Sequence, residues 1–199
     1  YKYDERNRQT HKKVPSKGIE LMVYDRLDRL IFYQDARMRA QTQPQWHYTR
    51  YDAFGRDIVT QLCSISQSYA TIKSTVGATQ IVENIDPTTA SGYSNIPIGG
   101  LTLSNNIALT FKYYDNYDLI AKAHTGLSNT TITNLITLYN TEKTNAGLAS
   151  TEEVTPLPKG YQGKITAMKV KLLDRDKLVA DEGIPTAVGN DNDFVFVYD

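Results

Sequence analysis

Three stretches set a tyrosine, a carboxylate and an arginine at the same spacing: Tyr3-Asp4 with Arg8, Tyr24-Asp25 with Arg29, and Tyr51-Asp52 with Arg56. Their recurrence marks either an active site or a building unit. The residue three places after each Asp separates the two. It is Asn7, Asp28 or Gly55, which are the types that best tolerate positive φ and share no reactive group. An Asp that opens a type I turn accepts backbone N–H bonds two residues on, and the Arg that follows reaches back to the Asp or stacks on a neighbouring Tyr. The variation obeys a turn constraint, not a catalytic one.

Other groups give little chemistry. His11, His47 and His124 stand apart, without metal-ligand spacing, and there is no G-x-S-x-G elbow. The glycines of "IPIGGLTLSNN" lack the Lys-Ser/Thr of a phosphate loop, and turn glycines are the better account. "DRD" and "DND" at 174–176 and 191–193 lack the spacing of an EF-hand and read as solvated turn carboxylates. Neither a cofactor nor a metal is expected, and the chain is read as a non-enzyme. Cys63, the sole cysteine, sits beside Leu62 and Ile65 and reads as a buried thiol in preference to a reactive one. Exposed Tyr and Trp46 flanked by polar residues make either a sugar platform or cross-strand packing pairs.

The elements that must position the three sets are hairpins. An alternating or β-rich run precedes each internal Tyr-Asp pair ("LMVYD", "WHYTRYD", "ALTFKYYD"), and a second follows it ("RLIFYQD", "RDIVTQL"). Pairs at Tyr114-Asp115 and Tyr198-Asp199 extend the series. The fourth copy puts Asp118 at the positive-φ slot and Leu119 where Arg would sit, so it reads as a degenerate unit. Twenty-one residues separate the first two pairs, a period typical of stacked-repeat architectures.

Between the third and fourth copies, Ile65, Tyr69, Ile72 and Val76 fall at helical spacing, "TQIVENI" reads as a strand, and "PTTASGYSNIPIGG" as an exposed loop. Farther on, "SNTTITNLITLYNTEK" reads as a helix and "GKITAMKVKLLD" as a strand. Residues 174–193 read as a loop leading into a last strand, "FVFVYD". Fourteen tyrosines against five Phe and one Trp suit pleated, half-wet surfaces. Basic and acidic residues balance at 22 each, so no global field favours nucleic acid. No apolar run approaches the ~18–20 residues that span a bilayer.

With Y-D-x-x-G-R units in hand, the chain resembles the Rhs/YD-repeat family, and residues 1–60 resemble the repeat region of large secreted or surface Rhs proteins of Bacteroidetes-type bacteria. Asn7 and Asp28 stand where that family usually has Gly. Asp86-Pro87 is followed by Thr88-Thr89, so the family's self-cleaving Asp-Pro-x-Gly-Leu-like element is not carried over. Members wind antiparallel hairpins into a spiralling shell that in bacterial toxins encloses a C-terminal toxin; teneurin ectodomains contain a related one. The resemblance implies a structural role for Tyr3, Asp4, Arg8, Tyr24, Asp25, Arg29, Tyr51, Asp52, Gly55 and Arg56.

The expected fold is thus mainly β, antiparallel hairpins of a YD-repeat shell with one or two short helices in inserts. Residues 1–199 are expected to form one segment of a longer repeat protein, with hairpins over 1–60 and degenerate repeats with inserts over 61–199. The implied partners are the rest of the parent shell and an encapsulated C-terminal domain, and unpaired sheet edges invite an edge-strand dimer. The implied location is secreted or at the cell surface. The function read from this is a non-enzymatic shell or scaffold segment of a toxin-encapsulating or adhesive protein. The alternative is a surface module that recognises a glycan or a host protein.

Overall fold

The computed structural model describes residues 1–115, 134, 137–138, 141, 163–171 and 193–197. The chain divides into two compact units: Tyr1–Asp86 with Tyr93–Thr110, and Pro87–Gly92 with Phe111–Asp199.

The protein is mainly β. In the first unit, strands β1 (Lys2–Tyr3), β2 (Gln9–Val14), β3 (Gly18–Tyr24), β4 (Leu30–Gln34), β5 (Gln45–Tyr51) and β6 (Asp57–Ile65) pair antiparallel, each with its chain neighbour. Three of the connections are Tyr-Asp turns, and a register shift falls just before each: at Lys2/Tyr3, Val23/Tyr24 and Arg50/Tyr51. Such a bulge adds local twist and re-aims the strand end into the turn. At the opposite ends the connections differ. β2 and β3 join through a tight turn in which Ser16 and Gly18 hold positive φ. β4 and β5 join through one helical turn, α1 (Ala36–Arg39), capped by the Asp35 carboxylate on the Met38 N–H at 2.7 Å.

The core follows from period-two alternation. On β5, Trp46, Tyr48 and Arg50 point inward while their neighbours are half-exposed. Trp46 lies edge-on to Phe32, and Phe32 packs on Tyr48 across the β4–β5 register. Helix α2 (Tyr69–Gly77) covers this face with Ile72 and Val76, joined by Val23, Ile31, Cys63, Ile81 and Ile98. Full burial of each large apolar side chain contributes about 1.5–3 kcal/mol.

The expected helix with Ile65 in its stripe begins later. Ile65 ends β6, and Ser68 caps α2 through the Thr71 N–H at 3.2 Å, so Tyr69, Ile72 and Val76 carry the helical face without it. "TQIVENI" is not a strand: it makes only isolated bridges, Asp52↔Glu83 and Ile85↔Tyr93. β5 stops at Tyr51 and its chain turns away, leaving the segment no longer edge to pair with. The glycine-rich loop is irregular but not wholly exposed, since it buries Tyr93 and Ile98.

β7 (Leu103–Tyr114) lies beside β6 in the first unit, through Thr60–Thr110 and Gln61–Asn106 side-chain bonds at 2.5 and 3.3 Å. In the second unit Tyr113 is buried; its hydroxyl donates to the Ser91 carbonyl at 3.0 Å and its own carbonyl accepts from Thr166 Oγ1 at 3.1 Å. The two strands expected there are β8 (Ile165–Lys171) and β9 (Asp193–Val197), paired antiparallel. The helix expected over "SNTTITNLITLYNTEK" falls largely outside the described residues, of which Asn134, Thr137, Leu138 and Thr141 are helical. The loop at 174–193 lies outside them up to Asp193, which opens β9; Asp118, Leu119 and the Tyr198-Asp199 pair also lie outside.

Candidate functional site

The three Tyr-Asp turns are built alike, atom for atom. In each, the Asp N–H donates to the Arg carbonyl four residues on: Asp4 to Arg8, Asp25 to Arg29 and Asp52 to Arg56, all at 3.0 Å. The residue three after the Asp donates back to the Asp carbonyl and holds positive φ: Asn7 at 59°, Asp28 at 64° and Gly55 at 77°. One carboxylate oxygen accepts two backbone N–H groups, from Arg6 and Arg8, from Leu27 and Arg29, and from Phe54 and Arg56, at 2.9–3.0 Å. The other takes the Arg Nε, at 2.8, 2.9 and 2.6 Å in chain order. A charge-assisted pair thus closes a loop whose backbone groups are already satisfied.

The same arginine also reaches the next turn. Arg8 Nη1 donates to the Asp25 carbonyl at 2.9 Å and to Asp28 Oδ1 at 2.7 Å, with its guanidinium 5.1 Å from the Tyr24 ring centre. Arg29 Nη1 donates to the Asp52 carbonyl at 3.3 Å, with its guanidinium 4.9 Å from the Tyr51 ring. Each tyrosine hydroxyl then bonds back to the residue following that arginine: Tyr24 to the Gln9 carbonyl and Tyr51 to the Leu30 carbonyl, both at 3.0 Å. The motif residues therefore assemble into a ladder of turns, not a pocket. After Arg56 the ladder changes character. Arg29 Nη2 donates to the Ile81 carbonyl at 2.5 Å, and Glu83 N–H donates to the Tyr51 carbonyl at 2.8 Å. Arg56 lies over Phe54 of its own turn.

Electrostatics agree with the bonding. Burial raises the Asp4 carboxyl, but bonds from the Arg8 backbone and side chain and the Arg6 backbone outweigh it and hold it below its usual range. Burial raises the Tyr24 and Tyr51 phenols, against the pull of Arg8 and Arg29 respectively. A carboxylate whose oxygens hold three donors, or four at Asp25, is poorly placed to take a proton from a substrate.

The fourth Tyr-Asp pair is a different structure. The positive φ, 73°, is at Asp115 itself, its N–H donates to the Lys164 carbonyl at 3.2 Å, and its carboxylate accepts the Gly163 N–H at 2.8 Å. It joins two distant stretches of the chain.

A buried network lies behind the third turn, and sequence reasoning missed it. Arg50 and Glu83, both nearly inaccessible, pair through Nε and Nη2 at 2.8 and 2.7 Å. Glu83 Oε2 accepts Ser94 Oγ at 2.7 Å and the Ile96 N–H at 3.3 Å, while Arg50 Nη2 also donates to the Ser94 carbonyl. The signal was present: in "WHYTRY" the alternation that buries Trp46 and Tyr48 puts Arg50 on the same face, where an arginine requires a partner. Trp46 itself is in the core, stacked at 6.4 Å and 6° on Tyr69, so it forms a packing pair and offers no sugar platform. Cys63 is inaccessible, and burial pushes its thiol up to about 12. His11 and His47 lie in separate environments, and burial lowers both, with nearby Lys2 and Lys73 adding to the effect at His11.

Among the described residues no three His, Cys, Asp or Glu side chains gather where a metal could be held, and no helix is long and apolar enough to cross a membrane. Fold and site together define a mainly β protein whose hairpins are tied by Asp–Arg turns. Compared with known proteins, the chain matches no family model, no curated protein and no solved structure.

Proposed function

We propose that this chain is a non-enzymatic structural segment, part of the wall of a β-hairpin shell in a secreted or cell-surface protein of the Rhs/YD-repeat kind. Such a wall encloses a C-terminal domain or presents an adhesive surface. The observation that supports this reading is the ladder: Arg8 and Arg29 are each bonded to their own Asp and to the backbone of the next turn. The groups that recur in the sequence serve to join one hairpin to the next. The alternative of a glycan-binding module loses its aromatic anchor, because Trp46 is inside.

Native-state hydrogen exchange on the full chain tests the reading. Binding and catalytic loops are drawn from the least stable parts of a fold, whereas joints of a wall open only with the strands they connect. The amides of Leu27, Arg29, Phe54 and Arg56 should exchange as slowly as those of β3–β6, with the same denaturant dependence. Turn amides exchanging at nearly free rates while the strands stay protected would refute the scaffold assignment.

A further inference from the structure

At the hairpin ends away from the Tyr-Asp turns, cations outnumber carboxylates. Residues 12–20 and 33–45, which include the β2–β3 turn and the α1 connection, hold Lys12, Lys13, Lys17, Arg37 and Arg39 against Glu20 and Asp35. Both carboxylates are engaged. Glu20 is buried and faces Lys12 Nζ at 3.5 Å and the Tyr33 hydroxyl, and Asp35 caps α1 through the Met38 N–H. Lys13, Lys17 and Arg37 are exposed, and none of them has an ion-pair partner among the described residues. The two connections meet: a Cβ at Gly18 would fall 2.6 Å from that of Ala36, and Arg39 Nη2 donates to the Ile19 carbonyl at 2.6 Å. Lys17 and Arg37 are the chain neighbours of that close approach, and Lys13 stands opposite Ile19 in the β2–β3 register. With Arg39, one corner of the first unit holds four cations that no carboxylate answers, in a chain whose total charge is balanced.

We propose that this corner binds an acidic polysaccharide, a polymer bearing carboxylate or sulfate groups. Its repeated anions pair with the four cations, and the exposed side chains of Ser16, Gln41 and Thr42 bond to sugar hydroxyls. Other polyanions fit the corner less well. Its loops, Pro15–Lys17 and Ala40–Pro44, carry no ring on which a nucleobase could stack, and no aromatic or large aliphatic side chain to enter a bilayer. An acidic protein surface would require an apolar centre, and only Ile19, 41 % exposed, is available. Contact through charge needs no aromatic platform, so the burial of Trp46 does not bear on it. The inference adds a ligand to the adhesive surface considered above and shares no residue with the ladder.

The test is titration of isotope-labelled full chain with polygalacturonate, with dextran sulfate and with neutral dextran. The acidic polymers should shift the amides of Ser16, Lys17, Arg37 and Gln41 saturably, and neutral dextran should not. Between about 50 and 200 mM salt, binding through these cations should weaken about tenfold or more. Lys17→Gln with Arg37→Gln should weaken it about tenfold at unchanged melting temperature, because both side chains are exposed. Arg26→Gln, which removes an exposed cation at the Tyr-Asp end, should leave it unchanged. Equal shifts with neutral dextran, no shift with either acidic polymer at millimolar repeat units, or equal losses in the two variants would overturn the proposal. So would anionic vesicles or a DNA duplex binding the same residues more tightly than both polysaccharides, since that would assign the corner to another polyanion. None of these failures touches the hydrogen-exchange test of the turns, where protected amides would leave the scaffold reading standing.

Discussion

Asp25→Ala is the sharpest test of the ladder, because the other two turns provide its controls. Asp25 is fully buried and accepts the Leu27 and Arg29 N–H groups on one oxygen and Arg29 Nε and Nη2, at 2.9 and 2.6 Å, on the other. Alanine leaves two part-buried amides without that acceptor and strands a guanidinium whose side chain is only 11 % exposed. Removing one partner of a buried pair costs about 3–5 kcal/mol. Asp4→Ala removes the acceptor of three donors instead of four, from a less deeply buried pair whose side chains are 8 % and 18 % exposed, and should cost less, about 1–2 kcal/mol. Asp25→Asn keeps an acceptor for the two amides and loses the charge, so it should fall between. The assay is urea unfolding followed by the fluorescence of Trp46, the only tryptophan and a reporter of the first unit's core. With a slope of about 2 kcal/mol per molar urea, the Asp25→Ala midpoint should drop by roughly 1.5–2.5 M at unchanged slope. Equal midpoint shifts for Asp25→Ala and Asp4→Ala would refute the argument that burial in the ladder sets the cost.

Three further expectations follow from separate features. An added Cβ at Gly55 meets nothing within 4 Å, so Gly55→Ala should cost only the positive-φ penalty, about 1–2 kcal/mol. Gly18→Ala should cost more, because its Cβ would fall 2.6 Å from that of Ala36; equal thermal shifts would contradict this. His11 and His47 have folded pKa values below the unfolded 6.5, so in that window the unfolded chain binds more protons. Stability should therefore be full above about pH 6.5 and fall as pH drops through the folded values, and His47→Gln should flatten part of that slope in melting curves. Asp4, likewise held below its usual range, should show its loss only as pH falls below about 4. Arg50→Ala should cost about 3–5 kcal/mol by leaving Glu83 buried and unpaired, and Arg50→Met with Glu83→Leu should recover a large part of it. A double-mutant cycle with no coupling would remove the network from the account.

Legibility in the sequence followed the range of the interaction. The hairpins, their alternation and the positive φ at Asn7, Asp28 and Gly55 depend on residues within a few positions of each other, and those residue types carry the information. The Arg8 and Arg29 bonds to the following turn span about one repeat, and only the side-chain stacking was inferable from spacing. The Arg50–Glu83–Ser94 network spans inserts whose path no local pattern dictates. The contact of Asp115 with Gly163 and Lys164 was illegible for the same reason, since it spans nearly fifty residues.

The two ends of the hairpins have unlike tolerance for length. At the Tyr-Asp end, every loop runs from Asp to the fourth residue on, and the arginine of one must meet the carbonyl of the next. At the far end, one connection is the tight turn between Val14 and Gly18 and the other the longer passage through α1, yet both feed the same ladder. A gene encoding such a protein can accept insertions and deletions at alternate connections without disturbing the joints. Spacing between the pairs is then a record of what the far end has accommodated, and the invariant ruler is the turn itself.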